Sequence, residues 1–230
     1  MLTVNKLYDL THSLAGNYLS GFDYPWHALK GIKDLILALG PTLGSDYIET
    51  APTVWVHKTA TVAPSAYLGA PCIIGAGTEV RHCAFIRGSA LVGENCVVGN
   101  SVELKNVILF DNVQVPHYNY VGDSILGYKS HMGAGSLTSN VKSDQSLVVV
   151  HNGGEHIPAG LKKFGAMVGK RRFHKARACR QREHRGAGDG LCRLAAQPHG
   201  CCTSPGPSAQ HRCGLDTHAL YSITASAGHS

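Results

Sequence analysis

The strongest constraint on the fold of this chain is an aliphatic residue that recurs at every sixth position. The run has nine members: Val56, Val62, Leu68, Ile74, Val80, Ile86, Val92, Val98 and Leu104. A second column, mostly of small residues, follows four positions later: Ala60, Ala66, Cys72, Thr78, Ala84, Ala90, Cys96 and Val102. Short periods of this kind predict a solenoid, in which stacked coils bury a continuous core that no single coil could bury alone.

The two columns indicate a triangular coil, in which three six-residue rungs complete a turn of about 18 residues. We therefore expect residues 54–141 to form at least four stacked parallel coils with the aliphatic column inside. Cys72 and Cys96 are then small, inert core residues. After Leu104 the spacing shortens to five twice, at Leu109 and at Leu126. Irregular rungs in a regular solenoid predict a functional site, because they put side chains where the repeat would not.

The chain divides into three segments by pattern. Residues 1–50 predict a helical arm or cap, with apolar residues at three-to-four spacing and a stop at Gly40-Pro41. The spaced residues are Leu7, Leu10, Leu14, Leu29, Ile32, Leu35, Ile36 and Leu39. Residues 54–169 hold the repeats, and residues 170–230 form a tail without them.

The tail differs from the rest in charge and in cysteine content. Residues 1–169 hold 11 Lys and Arg against 12 Asp and Glu, whereas residues 170–230 hold 10 against 3. Five of the eight cysteines also lie there: Cys179, Cys192, Cys201, Cys202 and Cys213. We expect an aberrant, disordered tail produced by a frameshift near codon 170. The alternatives are a natural basic tail and a zinc or nucleic-acid module, although no Cys-x-x-Cys spacing supports zinc.

Composition favours a cytoplasmic protein with no membrane and no nucleic-acid partner. No apolar run approaches the length that a membrane-spanning helix needs, and the start of the chain lacks the order of a secretory signal. Since all the net positive charge lies in the tail, the repeat segment gives no reason to expect nucleic acid. A disulfide framework is not expected in that compartment.

Four segments fall in one order within residues 72–141 and carry a family resemblance. They are Phe85-Ile86-Arg87-Gly88, Val98 to Lys105, Pro116 to Asp123, and Met132 to Asn140. These segments resemble the hexapeptide-repeat acyltransferases, in particular the acetyltransferase domain of bifunctional N-acetylglucosamine-1-phosphate uridyltransferase/glucosamine-1-phosphate N-acetyltransferase. The resemblance implies an all-β left-handed parallel β-helix, a homotrimer with sites between subunits, and acetyl transfer from acetyl-CoA to an amino-sugar phosphate or nucleotide sugar. The segment that precedes the repeats is too short for a uridyltransferase half.

The resemblance also implies roles for individual residues. His117 matches the general base that takes the proton of the attacking amine, a task for which neutral imidazole is suited. Glu103 is expected to orient the base or the amine. The remaining matches are Arg87 and Lys105 for phosphate, Tyr120 for phosphate or sugar, Asn140 for the sugar, and Ala134 for a main-chain contact to acetyl-CoA. His131 stands where the family has a sugar-binding asparagine, and Val141 where it has an aromatic residue, so the acceptor is left open.

The same type of helix is compatible with two other functions. A zinc carbonic anhydrase needs three converging histidines, and His82 and His117 lack a partner because position 122 is Gly122. We expect no metal in the β-helix. The second hypothesis is a non-catalytic β-helix that binds a sugar nucleotide or only trimerises, as the β-helical domains related to nucleotidyltransferases do.

Overall fold

The computed structural model describes residues 2–152 and 154–170, together with two short strands at 173–174 and 222–223. The α-helices are α1 (Val4–Leu7), α2 (Gly16–Ser20) and α3 (Ile32–Leu39), and 3₁₀ helices span Leu10–His12, Pro25–Gly31 and Gly40–Thr42. The strands are β1 (Tyr47–Ala51), β2 (Val54–His57), β3 (Thr61–Val62), β4 (Tyr67–Leu68), β5 (Cys72–Ile74), β6 (Glu79–Val80), β7 (Phe85–Ile86), β8 (Ala90–Val92), β9 (Val97–Asn100), β10 (Glu103–Leu109), β11 (Gln114–His117), β12 (Tyr120–Leu126), β13 (His131–Met132), β14 (Leu137–Thr138), β15 (Val149–Asn152), β16 (Glu155–Pro158), β17 (Met167–Val168), β18 (Phe173–His174) and β19 (Ser222–Ile223).

Parallel strands stack into a β-solenoid of about five turns, which confirms the predicted fold class. Three faces surround the core. The arm face, so named for what covers it, contains β2, β5, β8, the second halves of β10 and β12, and β17. The six-stranded face contains β3, β6, β9, β11, β13 and β18. The short face contains β4, β7, the first halves of β10 and β12, and β14.

The pairing registers show where the coil becomes shorter. Tyr67 pairs with Phe85 and Phe85 with Glu103, and each partner lies one full turn of three six-residue rungs further along the chain. Glu103 then pairs with Tyr120, and Tyr120 with Leu137, and these partners lie one position short of such a turn. The position lost from each of these turns is lost on the short face.

Residues with positive φ turn the corners of the coil. They are Gly77, Cys83, Ser89, Asn95, Ser101, Asn106, Asn112, Tyr118, Asp123, Lys129 and Gly135. The left-handed backbone region is costly for most side chains and is best tolerated by Gly, Asn and Asp. The corners recur at every sixth position except from Ser101 to Asn106 and from Tyr118 to Asp123, where the interval is five. The two short rungs therefore end at Asn106 and Asp123.

The predicted inward columns form the core. From Ile74 to Leu104 each aliphatic member is at most 1% exposed, and Cys72 and Cys96 are equally buried. Burial raises the pKa of both thiols to about 12, which suits inert core residues. Val62 and Leu68 are only partly buried, because β3 and β4 lie in the first coil and pair with a following strand on one side.

The arm face is buried on both sides, which the period of six does not predict. Its outward residues form a second apolar column: Trp55, Ile73, Leu91, Ile108, Ile125 and Met167, none more than 7% exposed. The arm of residues 2–46 covers them, with α3 against β8 and β10 and the 3₁₀ helix Pro25–Gly31 against β12. Strands buried on both faces carry consecutive apolar residues, as Cys72-Ile73-Ile74 does.

The arm is helical as predicted, but in short pieces. Its buried residues include Leu19, Trp26, Leu29, Ile32 and Ile36. Leu14, which was expected on the apolar face, is 42% exposed because it lies in a turn outside the helices. At the other end of the arm Gly40 lies on the Trp55 indole, where an added Cβ would come within 2.3 Å of the ring. Only glycine fits at that contact.

A hairpin interrupts the last coil. Strands β15 and β16 pair antiparallel between β14 and β17, after which β17 returns to the arm face beside β12. Beyond it, β18 pairs with β13 and β19 with β17. The predicted frameshift and disorder of the tail concern residues that lie almost entirely outside those described.

Candidate functional site

Four of the predicted site residues lie side by side on the short face. Arg87 and Lys105 are neighbours across adjacent coils, since the backbone N–H of Arg87 donates to Leu104 O at 2.8 Å. Glu103 pairs with Tyr120 in the next coil. The short face therefore carries two cations, one carboxylate and one phenol in two adjacent columns.

Glu103 is bound to Arg87. Arg87 Nη1 donates to Glu103 Oε1 at 2.7 Å, with the two side chains 44% and 32% exposed. This hydrogen bond raises the pKa of Arg87, which keeps the guanidinium charged. Here the Glu103 carboxylate orients the guanidinium, whereas the sequence had suggested that it would orient the base or the amine.

A ladder of corner residues closes one side of the short face. Asn106, Asp123 and Asn140 occupy the same corner in successive coils, and Asp123 is only 5% exposed. Asn106 Nδ2 donates to Asp123 Oδ1 at 2.8 Å, and Asn140 Nδ2 donates to Asp123 Oδ2. The buried carboxylate is therefore held from both neighbouring coils, which offsets much of the cost of burying its charge.

The ladder connects to Tyr120 and to the arm. Burial raises the pKa of the Tyr120 phenol, and its hydrogen bond with Asn140 opposes that shift. On the other side, Asn106 Nδ2 also donates to Leu29 O in the arm at 3.2 Å. One hydrogen-bonded chain thus runs from the arm through the corner to the short face.

A cavity of about 390 Å³ opens at this corner, between the short face and the arm. The residues that line it are Lys33, Ala70, Pro71, Arg87, Gly88, Ser89, Lys105, Asn106, Asp123 and Lys163. Its volume falls within the ~300–1,000 Å³ that small-molecule sites occupy. Four cationic side chains face one carboxylate, so an anionic ligand is favoured.

His117 and Ala134 lie together at the opposite corner of the short face. His117 ends β11, and Tyr118 turns the corner toward Tyr120. The N–H of Gly135, the residue after Ala134, donates to His117 O at 3.0 Å, which places Ala134 beside His117 in the next coil. Both His117 and Ala134 are exposed. Among the described residues no hydrogen bond to the His117 ring is found, so the imidazole is available to a ligand.

His131 lies away from the other predicted residues. It pairs with Gln114 on the six-stranded face, and its Nδ1 is 3.1 Å from Gln114 Oε1. Three positions along the chain separate it from Ala134, which lies in the turn after β13. Within one chain, the structure brings Arg87, Glu103, Lys105, Tyr120 and Asn140 together, puts His117 and Ala134 at the far corner, and leaves His131 on another face.

Lys33, Asn106, Asp123 and Lys163 were missed from the sequence. Asn106 and Asp123 could have been found from the sequence, because each ends one of the two short rungs. One shortened turn leads from Asn106 to Asp123, and another leads from Asp123 to the predicted Asn140. Lys33 and Lys163 carry no such signal, because a lysine in a helical arm or a connecting segment resembles any solvated surface cation.

The described residues contain no group of three or more His, Cys, Asp or Glu side chains arranged to hold a metal ion. The cysteines proposed for a zinc module, Cys179 to Cys213, lie outside those residues. No helix in the described part of the chain is long and apolar enough to cross a membrane.

The stacked coils, the register of strand pairing and the positive-φ corners together define a hexapeptide-repeat parallel β-solenoid. Its sequence is similar, more particularly, to "Bifunctional protein GlmU" of Methanococcus maripaludis, with 36% identity over 66 residues, or 29% of this chain and 16% of that protein. The "Bifunctional sugar-1-phosphate nucleotidylyltransferase/acetyltransferase" of Sulfurisphaera tokodaii is 30% identical over 149 residues, 63% of this chain and 37% of that protein. The resemblance found in the sequence is thereby confirmed.

These likenesses are partial. The chain spans between about a sixth and two fifths of the length of those two relatives. No family model matches the chain. Among solved structures, the acetyltransferase domain of PglB from Neisseria gonorrhoeae matches with 19% identity and a TM-score of 0.28 over 55% of this chain and 65% of that one.

Proposed function

We propose that this protein is an acyltransferase that moves an acetyl group from acetyl-CoA to the amine of a phosphorylated amino sugar. The observation that carries the proposal is the convergence of Arg87, Glu103, Lys105, Tyr120 and Asn140 on the short face, with His117 at its far corner. Similarity to a GlmU protein and to a sugar-1-phosphate nucleotidylyltransferase/acetyltransferase supports this reaction class.

The short face is suited to hold the acceptor along its width. Arg87 and Lys105 lie at one corner and would bind the phosphate, the guanidinium by paired hydrogen bonds and the ammonium as a point charge. Tyr120 and Asn140 would contact the sugar. The sugar then extends toward the His117 corner, where its amine meets the acetyl group.

The chemistry is one acyl transfer. The amine nitrogen attacks the thioester carbonyl carbon, His117 takes the proton of the amine, and the carbon–sulfur bond breaks to release the thiolate, which becomes the coenzyme A thiol on protonation. Ala134, beside His117, would offer its main chain to acetyl-CoA. His131 would contact the acceptor only across a subunit boundary, since it lies on a different face of its own chain.

A homotrimer in the cytoplasm is part of the same proposal. Exposed apolar side chains on the short face, Tyr67 at 60%, Phe85 at 44% and Leu137 at 51%, support an interface there. Because the arm covers one face of the prism, subunits would meet through the other two. The alternative, a β-helix that binds a sugar nucleotide without catalysis, is favoured by the exposed position of His117, whose ring has no hydrogen-bond partner among the described residues.

The test is release of coenzyme A thiol from acetyl-CoA with a panel of amino-sugar phosphates and nucleotide amino sugars. His117→Ala should lower kcat by about 10² to 10⁴ and leave the acceptor KM nearly unchanged, because a general base acts mainly in the transition state. Arg87→Ala should instead raise the acceptor KM more than it lowers kcat, since its contact to phosphate exists before and during reaction.

His82→Ala is the matched control. His82 lies in the same corner column as His117 but two coils away, because Asn100 Nδ2 donates to His82 O and Asn100 pairs with His117. Its Nδ1 is 2.9 Å from Ser65 Oγ, and its loss should leave kcat within about twofold. A His117→Ala variant that keeps kcat within about threefold of the parent would remove the base from the mechanism. Binding of an acceptor without any thiol release would favour the non-catalytic alternative.

A further inference from the structure

Tyr118 has a backbone conformation that aromatic residues rarely adopt. Its φ is 50°, and no other aromatic residue in the described part of the chain has a positive φ. The left-handed region brings Cβ close to the following carbonyl oxygen, a cost that Gly, Asn and Asp bear best. Strained residues cluster at ligand-binding sites, so Tyr118 is a candidate for a role in binding.

The Tyr118 side chain projects from its corner without a polar or aromatic partner in the described residues. It is 65% exposed. Its neighbours in the corner column are small, with Cys83 and Ser101 in the preceding coils and Gly135 in the next. A Cβ added at Gly135 would meet no atom within 4 Å, so the space beside the ring is open. Nothing within the chain therefore offsets the strain at this position.

The corner keeps its shape without help from the Tyr118 ring. The backbone N–H of Tyr118 donates to Asn100 O at 3.0 Å. Asn119, only 2% exposed, accepts from the N–H of His117 at 3.1 Å and donates to Gly133 O at 2.7 Å. Strain persists where the surroundings over-determine the backbone in this way. Tyr118→Gly should therefore fold with the same corner.

Tyr118 lies where the acyl donor of the proposed reaction would approach. It follows the proposed base, His117, directly, and Ala134 lies beside that base in the next coil. The acceptor would occupy the short face between Arg87 and His117, so the thioester has to reach His117 from another side. The corner offers that side, because His117, Tyr118 and Ala134 are all exposed there.

We propose that Tyr118 binds the acyl donor, with its ring packed against the thioester-bearing arm of coenzyme A beside His117. This inference rests on the proposed function for the identity of the donor. The arm of coenzyme A carries methyl and methylene groups, which offer apolar area to the face of a ring. Because the contact forms only with the donor bound, loss of the ring should weaken binding and stabilise the free protein.

The experiment measures coenzyme A binding to the full chain by calorimetry, together with thermal unfolding of the free protein. Tyr118→Gly should weaken binding about 5- to 20-fold, because the apolar contact is lost. It should raise the midpoint of thermal unfolding by about 1–3 °C, because the strain is relieved. Tyr118→Phe keeps the ring and should keep the affinity within about threefold.

Cys83→Gly is the matched control, because Cys83 occupies the same corner column at a φ of 61°. It should raise the midpoint by a similar amount and leave the affinity within about twofold. An unchanged affinity in Tyr118→Gly overturns the inference, as does a parent that binds no coenzyme A. A lower midpoint in Tyr118→Gly would show a structural role instead. A smaller assembly in light scattering would assign the ring to a contact between copies of this chain, which also overturns the inference.

Failure of this inference and failure of the proposed function give different results. If coenzyme A binds as expected while no acceptor is acetylated, the proposed function fails and the role of Tyr118 stands. If an acceptor is acetylated while Tyr118→Gly leaves the KM for acetyl-CoA unchanged, only the inference about Tyr118 fails.

Discussion

Asn106 performs three tasks with one side chain and one backbone position. It turns a corner at a φ of 53°, donates to the buried Asp123 carboxylate, and donates to Leu29 O in the arm. A buried acceptor that loses its donor costs more than the hydrogen bond itself stabilises, because the group is left without water as well.

Replacing Asn106 should therefore destabilise the protein more than replacing an equivalent corner residue. Asn112 has a similar φ of 59°, and within the described residues its side chain makes no hydrogen bond, so both alanine variants share the backbone strain. We expect Asn106→Ala to lower the free energy of unfolding by about 1–3 kcal/mol more than Asn112→Ala does. Urea denaturation measures the difference, and equal losses would mean that the Asp123 contact contributes nothing.

At the scale of single residues, the sequence predicted contacts between positions that lie one coil apart. Arg87 and Lys105 were paired correctly because stacked coils bring positions one turn apart into contact. The Arg87–Glu103 hydrogen bond was missed because it depends on side-chain rotamers. Lys33 was missed because its place beside Lys105 depends on how the arm docks, and docking follows from packing that no local spacing encodes.

Helix α3 shows what holds the arm to the solenoid. Ile36 is fully buried against the arm face, while the next residue, Leu37, is 36% exposed. Removing buried methyl groups costs the transfer free energy together with the cavity that is left. Removing exposed ones costs little.

We expect Ile36→Ala to lower the free energy of unfolding by about 2–5 kcal/mol, and Leu37→Ala to change it by less than about 1 kcal/mol. Chemical denaturation followed by tryptophan fluorescence is suitable, since Trp26 and Trp55 both lie at this interface. Similar losses for the two variants would mean that the arm is not packed on this face as described.

The strands of the solenoid were predicted from the sequence, whereas the apolar outer side of the arm face and the breaks in the arm were not, and the difference has a physical reason. The six-residue period defines the inward columns, because two fixed positions in each rung point into the coil. The outward column on the arm face recurs only once per turn, through Ile73, Leu91 and Ile108, and is hidden within rungs that already look apolar. The break of the arm into short helices likewise follows the shape of the surface beneath it.

At the scale of the whole molecule, the exposed column of Tyr67 and Phe85 is the surface on which assembly is most easily tested. Their rings lie 5.6 Å apart on the short face. Phe85→Glu would place a charge in the centre of an interface there, and an unpaired buried charge is strongly disfavoured. We expect light scattering to give a trimer for the parent and a monomer for this variant.

Leu37→Glu is the control for that measurement, because Leu37 lies on the outer surface of the arm. It should remain trimeric. A parent that is monomeric at micromolar concentration would contradict the proposed assembly, and a Phe85→Glu variant that stays trimeric would mean that the short face around Phe85 is not part of the interface.

The arm crosses the stack of coils from one end to the other. Gly40 lies on Trp55 in the first coil, whereas the Tyr8 hydroxyl donates to Ile125 O at 3.2 Å and Leu7 O accepts from Lys170 N at 3.1 Å near the last. Solenoids ordinarily tolerate gain or loss of a repeat, since each coil contacts only its neighbours. Here an inserted coil would move the two anchor points apart by ~4.8 Å, the spacing between strands. The arm therefore acts as a ruler, and a change in the number of coils between its anchors would require a matching change in its length.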